Sequence, residues 1–263
     1  MAMASLKVTI LGCGTSVGVP ALGRAGWGAC DPTNPKNRRQ RCALLVQSET
    51  TNILVDAGPD IRNQLLPHEL EALDAILITH THADHIAGLD DVRTFYWPSQ
   101  VKIPIYATEK HAADITARYP YLFEKKSGSP SYFVPPLTHH IIAADQDLTI
   151  GDIHIHTLHQ DHGNAMSLGF IFNDVCAYST DVVDMPEHNF DRLKFIPFWI
   201  VEALRESEHQ AHSHLSQTLE WIDRVSPAQA YLTHLGLEAD YNAFDAATPP
   251  HVSPAYDGLT FQT

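Results

Sequence analysis

The chain has 263 residues, 44% apolar and 18% charged, a balance that excludes a disordered or fibrous protein and leaves room for a sizeable core. Its 17 Lys and Arg against 31 Asp and Glu give a formal charge of −14, the wrong sign for gripping extended nucleic acid through a basic face. Cys13, Cys30, Cys42 and Cys176 form no CxxC pair, Met1–Lys7 lacks the pattern of a secretory leader, and no apolar run approaches the ~20 residues of a membrane span; a cytoplasmic protein with reduced thiols and no membrane association is expected.

In chain order, β-like runs are predicted at Leu6–Gly12, Cys42–Gln47 and Asn52–Val55, the last two joined by the turn Ser48-Glu49-Thr50-Thr51. Pro59 after Gly58 suits the first turn of a helix over Asp60–Leu66. Strands at Asp74–Thr79 and Lys102–Thr108 then alternate with helices at Ala87–Tyr96 and Glu109–Arg118, and Tyr119–Pro136 reads as a long connection. Strands follow at Thr149–Leu158, Leu168–Phe172 and Val175–Ser179, then a helix at His188–Leu193 and a strand at Phe198–Ala203. In Leu215–Val225 the residues Leu215, Leu219 and Ile222 follow the i, i+4, i+7 spacing of an amphipathic helix. A strand at Gln229–Thr233, a helix at Glu238–Ala246 and a strand at Gly258–Gln262 close the chain. The order predicts an α/β protein with two packed sheets and helices outside. No low-complexity linker divides it, so residues 1–263 read as a single domain.

The residues with the most chemistry are His80-Thr81-His82-Ala83-Asp84-His85, directly after the apolar run Ala75–Thr79. Two imidazoles two apart on an extended segment point the same way, and Asp84 and His85, just past the turn, can face a second ion. Three further candidates sit at strand ends: His162 beside Gly163, Asp181 after Val175–Thr180, and His234 in a second Thr-His pair after Gln229–Thr233. A carboxylate placed like Asp181 can bridge two cations with its two oxygens. His154 and His156 alternate with Ile153 and Ile155 on a half-exposed strand and, with His159, read as structural or solvent-facing.

The HTHADH cluster, the later single His, the Asp after a strand and the final Thr-His resemble the metallo-β-lactamase superfamily. Gly12–Pro20, Val201-Glu202-Ala203-Leu204, His212-Ser213-His214-Leu215 and Ala255–Leu259 narrow the resemblance to its phosphodiesterase branch, which includes ribonuclease Z and the cyclic-phosphate phosphodiesterase of the carbon–phosphorus lyase pathway. The resemblance spans nearly the whole chain. It implies a four-layer αβ/βα sandwich, two mixed β-sheets flanked by helices, with two divalent metal ions (Zn2+ or Mn2+) at one edge. His80, His82 and His162 would hold one ion, Asp84, His85 and His234 the other, with Asp181 between them. A homodimer is implied on the same ground.

The implied function is dinuclear metal-dependent hydrolysis of a small or nucleotide-like phosphodiester, cyclic diesters included, by a hydroxide bridging the ions. Two divalent ions, two carboxylates and that hydroxide leave one formal positive charge, which suits a monoanionic diester better than a dianionic monoester. By resemblance His214 is the expected general acid, with His212 its near-equal rival and Asp84 assisting the nucleophile. The glycine loop 12–18 has no following GK[ST] and so is no P-loop; it reads as a tight turn lining the cleft. Ser16 in that loop, His212, Arg38 and Arg39 are the expected substrate contacts. The last two belong to a basic run, Lys36 to Arg41, able to grip a second phosphate or a nucleotide.

The chain departs from the carbon–phosphorus lyase enzyme in having only Cys30 where a structural-zinc cysteine cluster would lie, so no third metal site is expected. It also has no long basic, glycine-rich arm of the kind ribonuclease Z uses on tRNA. The competing functions are thioester or lactone hydrolysis on the same fold, tRNA 3′-end processing, and a non-catalytic role in cofactor biosynthesis.

Overall fold

A computed structural model describes residues 5–263. Its first sheet is built from β1 (Lys7–Gly12), β2 (Ala43–Gln47), β3 (Asn52–Val55), β4 (Ala75–Leu77), β5 (Ile103–Ala107) and β6 (Leu137–Ile141). The second contains β7 (Asp147–Ile150), β8 (Ile153–His162), β9 (Ala165–Phe172), β10 (Cys176–Ser179), β11 (Phe198–Glu202), β12 (Gln229–Thr233) and β13 (Val252–Pro254). The last strand, β14 (Leu259–Gln262), returns to pair antiparallel with β1. The orders are β14-β1-β2-β3-β4-β5-β6 and β13-β12-β11-β10-β9-β8-β7, each sheet part antiparallel and part parallel.

The strand period of two sorts the apolar residues into three layers. In β2, Leu44 and Val46 face the space between the sheets, where they meet Phe170, Phe172 and Tyr178 of the second sheet. Leu45 faces outward and packs with Leu54 and Ile76 against Ile61, Ile86 and Ile115 from the helical segments on that side. On the far side Ala177, Trp199 and Val201 pack against Phe190, Leu193, Ile222 and Val225. This is the expected sandwich with helices outside both sheets. The amphipathic helix Leu215–Val225 has the predicted bounds, because Ser226 in the left-handed region (φ 54°) ends it. Among the described residues no helix is long and apolar enough to cross a membrane.

Some predicted elements change form. The single strand expected over Thr149–Leu158 is a hairpin, because Gly151 (φ 57°) reverses the chain between β7 and β8. The helix expected over Ala87–Tyr96 is broken into Leu89–Val92, a 3-10 turn over Arg93–Phe95 and Tyr96–Ser99. A short helix, Pro120–Phe123, stands inside the predicted connection, and β6 and β13 are strands that the sequence pattern did not mark.

Asp257 joins the chain's two ends beside the glycine loop, accepting the backbone N–H groups of Gln40 (2.7 Å) and Cys13 (3.2 Å). Burial, which outweighs these two bonds, pushes its carboxyl from 3.8 up to about 6. The folded state therefore holds this proton more tightly than the unfolded chain. Its contribution is fully present below pH 3.8 and is lost as pH rises through about 6, a change of up to about 3 kcal/mol. Denaturant unfolding of Asp257→Asn across this window should lack that component of the wild-type pH slope, and identical slopes would refute it.

Candidate metal centre

β4, β8, β10 and β12 all deliver their C-terminal ends to one edge of the paired sheets. The N–H of Leu168 on β9 donates to the Thr79 carbonyl (2.9 Å), tying the two sheets together at this edge. His80 follows Thr79. His82 is extended (φ −64°, ψ 153°) and caps the one-turn helix Ala83–Ile86, which carries Asp84 and His85. His162 ends β8, Asp181 lies just past β10, and His234 follows β12. Asp181 and His234 both have φ of 54°, a conformation that non-glycine residues adopt sparingly and that turns each side chain back over the sheet edge.

The seven expected ligands converge into two adjoining groups, His80, His82 and His162, and Asp84, His85, Asp181 and His234. Asp181 Oδ1 lies 3.4 Å from His234 Nε2, 3.7 Å from His162 Nε2 and 3.9 Å from His80 Nε2. Its Oδ2 lies 3.2 Å from His85 Nε2, which is 3.1 Å from Asp84 Oδ2. Asp181 thus stands between both groups. His82 is exposed and opens the cluster to solvent, while the other six are buried.

The Nε2 atoms of His80, His85 and His234 are buried without a hydrogen-bond partner. Leaving three such atoms unsatisfied is costly, and aiming them at shared carboxylates is the arrangement of a cation site. The residues fit divalent metal.

The opposite ring nitrogens are anchored. His85 Nδ1 is 2.6 Å from Asp56 Oδ2, and Asp56 also accepts the backbone N–H (2.9 Å) and hydroxyl (2.8 Å) of Thr79. His162 Nδ1 donates to the Ala211 carbonyl (2.7 Å). Glu202 Oε1 lies 2.6 Å from His212 Nδ1 in a hydrogen bond, and 2.8 Å from His234 Nδ1 in an ion-pair contact less well aligned for one. Such outer oxygens fix which nitrogen faces the metal.

The same packing shifts the titration of the clustered side chains. Burial pushes His80 well down, helped by the neighbouring His85. For His85, burial is the largest influence and opposes charge, yet Asp181, Asp56 and Asp84 together outweigh it and hold the imidazole well above its ordinary range. Burial likewise opposes the charge of Asp181, but His234, His85 and His80 hold its carboxyl well below the usual value.

Sequence reasoning missed Asp56 and gave Glu202 no role. Asp56 had a legible signal, a carboxylate directly after the apolar strand Asn52–Val55, the same placement as Asp181. His214 is not brought to the cluster: it precedes the helix Leu215–Val225 as an extended N-cap, and no hydrogen bond or ion pair joins its side chain to the site among the described residues. His212 is brought there, its ring centroid 4.7 Å from that of His162 and 4.8 Å from that of His234. Arg39 is corrected as a surface contact: only 2% exposed, it bonds Asn37 Oδ1 (3.1 Å) because the loop folds over it. Arg38 is exposed in a cleft beside the centre, and Ser16 is exposed with its carbonyl accepting from Arg41 Nε (3.2 Å).

Asp181→Asn should abolish metal uptake in the group that lacks other carboxylates and weaken the second. Asp56→Asn should weaken metal affinity by about 10–100-fold without removing a ligand. Elemental analysis and metal titration check both, and full metal content in Asp181→Asn would overturn the shared role.

Residues 51–235 match the beta-lactamase superfamily domain, a span that holds every one of the seven converging residues. The chain is 28% identical to a diphosphatase from the PhnP family, whose crystal structure superposes with a TM-score of 0.88 over 98% of this chain and 97% of that one. An octanoyltransferase of Porphyromonas gingivalis is 31% identical over 257 residues, 97% of this chain but 51% of that protein, so the chain spans about half of this relative's length. The anti-Pycsar protein Apyc1 of Bacillus phage 010DV004 is 25% identical over 219 residues, 74% of this chain and 81% of its own. The chain belongs to the metallo-β-lactamase superfamily.

Proposed function

We propose that the chain is a dinuclear phosphodiesterase acting on a small or nucleotide-like phosphodiester, cyclic diesters included. The observation that carries this reading is the pair of ligand groups that share Asp181 and have the His212–Glu202 pair against them. His80, His82 and His162 would hold one divalent ion (Zn2+ or Mn2+) and Asp84, His85 and His234 the other. Bound there, the ions would acidify a shared water as nucleophile and draw charge from the phosphoryl oxygens.

The protein's own groups account for the remaining steps. Exposed His82 marks the side from which a substrate reaches the centre, while the buried walls exclude bulk water from the rest. Asp84, 3.1 Å from His85 Nε2, has a second oxygen able to orient the attacking water. The departing alkoxide needs a proton, and the position of His212 against His162 and His234 supports it as the donor. Glu202 holds its Nδ1, which leaves Nε2 to carry the proton toward the leaving oxygen. Glu202 also takes the Val182 N–H on its other oxygen (2.6 Å), so its carboxylate cannot swing away. This geometry favours His212 over His214 as the proton donor.

The purified protein loaded with zinc or manganese should cleave bis(para-nitrophenyl) phosphate and cyclic or linear nucleotide diesters, and leave S-lactoylglutathione intact. Thioester cleavage without diester cleavage would overturn the reading. His212→Ala should keep its metals and lose about 10²–10⁴ in kcat on alkyl diesters, with a much smaller loss on nitrophenyl diesters, whose leaving group needs no proton. Equal losses on the two substrates would reassign the proton donor.

A further inference from the structure

Of the five histidines expected to hold metal, four have a ring nitrogen steadied from behind by an oxygen. His80 Nδ1 lies 3.0 Å from Thr79 Oγ1, and His85 Nδ1 lies 2.6 Å from Asp56 Oδ2. His162 Nδ1 lies 2.7 Å from the Ala211 carbonyl, and His234 Nδ1 lies 2.8 Å from Glu202 Oε1. His82 is the exception. It is exposed, its Nδ1 lies 3.3 Å from His162 Nε2, and among the described residues no hydrogen bond joins either ring nitrogen to an oxygen. Its own backbone gives little help. His82 is the N-cap of Ala83–Ile86 without a side-chain capping bond, and a helix of four residues is too short to hold itself. The direction of the ring is therefore decided by the peptide plane that joins Thr81 to His82.

That plane is held from outside the cluster. The Thr81 carbonyl accepts from Arg118 Nη1 at 2.7 Å, and the Thr81 hydroxyl donates to Asp114 Oδ2 at 3.2 Å. Asp114 and Arg118 lie four apart on one face of the helix Glu109–Arg118, the spacing at which Asp and Arg pair with each other. Here no ion pair joins them among the described residues, and both reach across to Thr81 instead. The helix gives them a fixed base. Thr108 caps it by accepting the His111 N–H (3.2 Å). Ala112 and Ile115 are buried in the same layer as Ile76 and Ile86, which stand on either side of the His80–His85 segment.

A charge-assisted bond from a guanidinium to a carbonyl resists rotation of that peptide. A ring already aimed at its partners loses less freedom on capturing an ion than one that must first be ordered. We propose that Arg118 and Asp114 are positioning residues for His82: they orient the Thr81–His82 peptide and so set how tightly the group His80, His82 and His162 holds its ion. The inference rests on the two-ion reading above, and two measurements separate their failures.

The first titrates zinc into the metal-stripped protein in competition with a chelating dye. The wild type should take up two ions. Arg118→Ala should weaken one of them about ten-fold and leave the other unchanged, and Arg118→Lys should recover most of the loss because its ammonium reaches the same carbonyl. Asp114→Ala should give a smaller loss at the same ion. Equal affinities in the wild type and Arg118→Ala, equal losses at both ions, or no recovery with lysine would overturn the proposal. So would a raised KM at unchanged metal affinity, which would make Arg118 a substrate contact. The second measurement needs no metal. The His85 N–H, which donates to the His82 carbonyl (3.1 Å), should exchange with deuterium about ten-fold faster in metal-stripped Arg118→Ala, with the helix over 109–117 unchanged. If the wild type takes up one ion or none, the two-ion reading falls and this exchange difference still supports the positioning role; equal exchange overturns it.

Discussion

Asp181 is a carboxylate, 1% exposed, surrounded by the ring nitrogens of His80, His85, His162 and His234. Its burial is tolerable only because those four imidazoles and the Thr180 hydroxyl (2.8 Å) compensate its charge. The four come from three separate stretches of chain, so this one interaction requires both sheets to be assembled and in register. It also explains the strain: Asp56, Asp181 and His234 all sit at strand ends with positive φ. The sandwich supplies the packing that holds these unfavourable conformations, and the conformations point the side chains at one another.

Around that carboxylate the site is layered in a way that connects stability to chemistry. Asp56 and Glu202 are themselves buried acids, each bonded to an imidazole on one side and to backbone N–H groups on the other. They convert the rigid sheet edge into fixed ring orientations. Because Glu202 serves His234 and His212 at once, the placement of a proposed metal-ligand nitrogen and of the proposed proton donor depends on one side chain. The polar interior is therefore a connected network, in which each member's orientation is set by the next.

The charge distribution adds direction to the site. The protein is acidic overall, yet the loop over residues 36–41 gathers four cations beside the centre and ties one of them, Arg41, to Asp60. For the anionic substrate proposed here, a uniformly acidic surface would be repulsive, and this local basic flank offers an approach. The same loop braces the fold: Asn37 bonds Asp240 Oδ2 (2.6 Å) and accepts the Tyr241 N–H (2.8 Å), pinning the segment to the C-terminal third of the chain.

Local pattern determined a good deal of this protein. The apolar runs with period two, the spacing of Leu215, Leu219 and Ile222, and ligand-type side chains directly after strands were all readable, since each depends on residues near in sequence. So was the HTHADH cluster, whose members lie within six residues. What only the tertiary structure decided is everything that depends on register between distant segments. Of His212 and His214, two residues apart with the same chemistry, the one that reaches Glu202 is His212. The anchoring of His85 by Asp56, 29 residues earlier, required β3 and β4 to pair in parallel. Arg38 and Arg39, neighbours in one basic run, part ways because alternate side chains of an extended loop face opposite sides: one into an open cleft, the other into the protein. Sequence supplies donors and acceptors, but only packing fixes which of them meet.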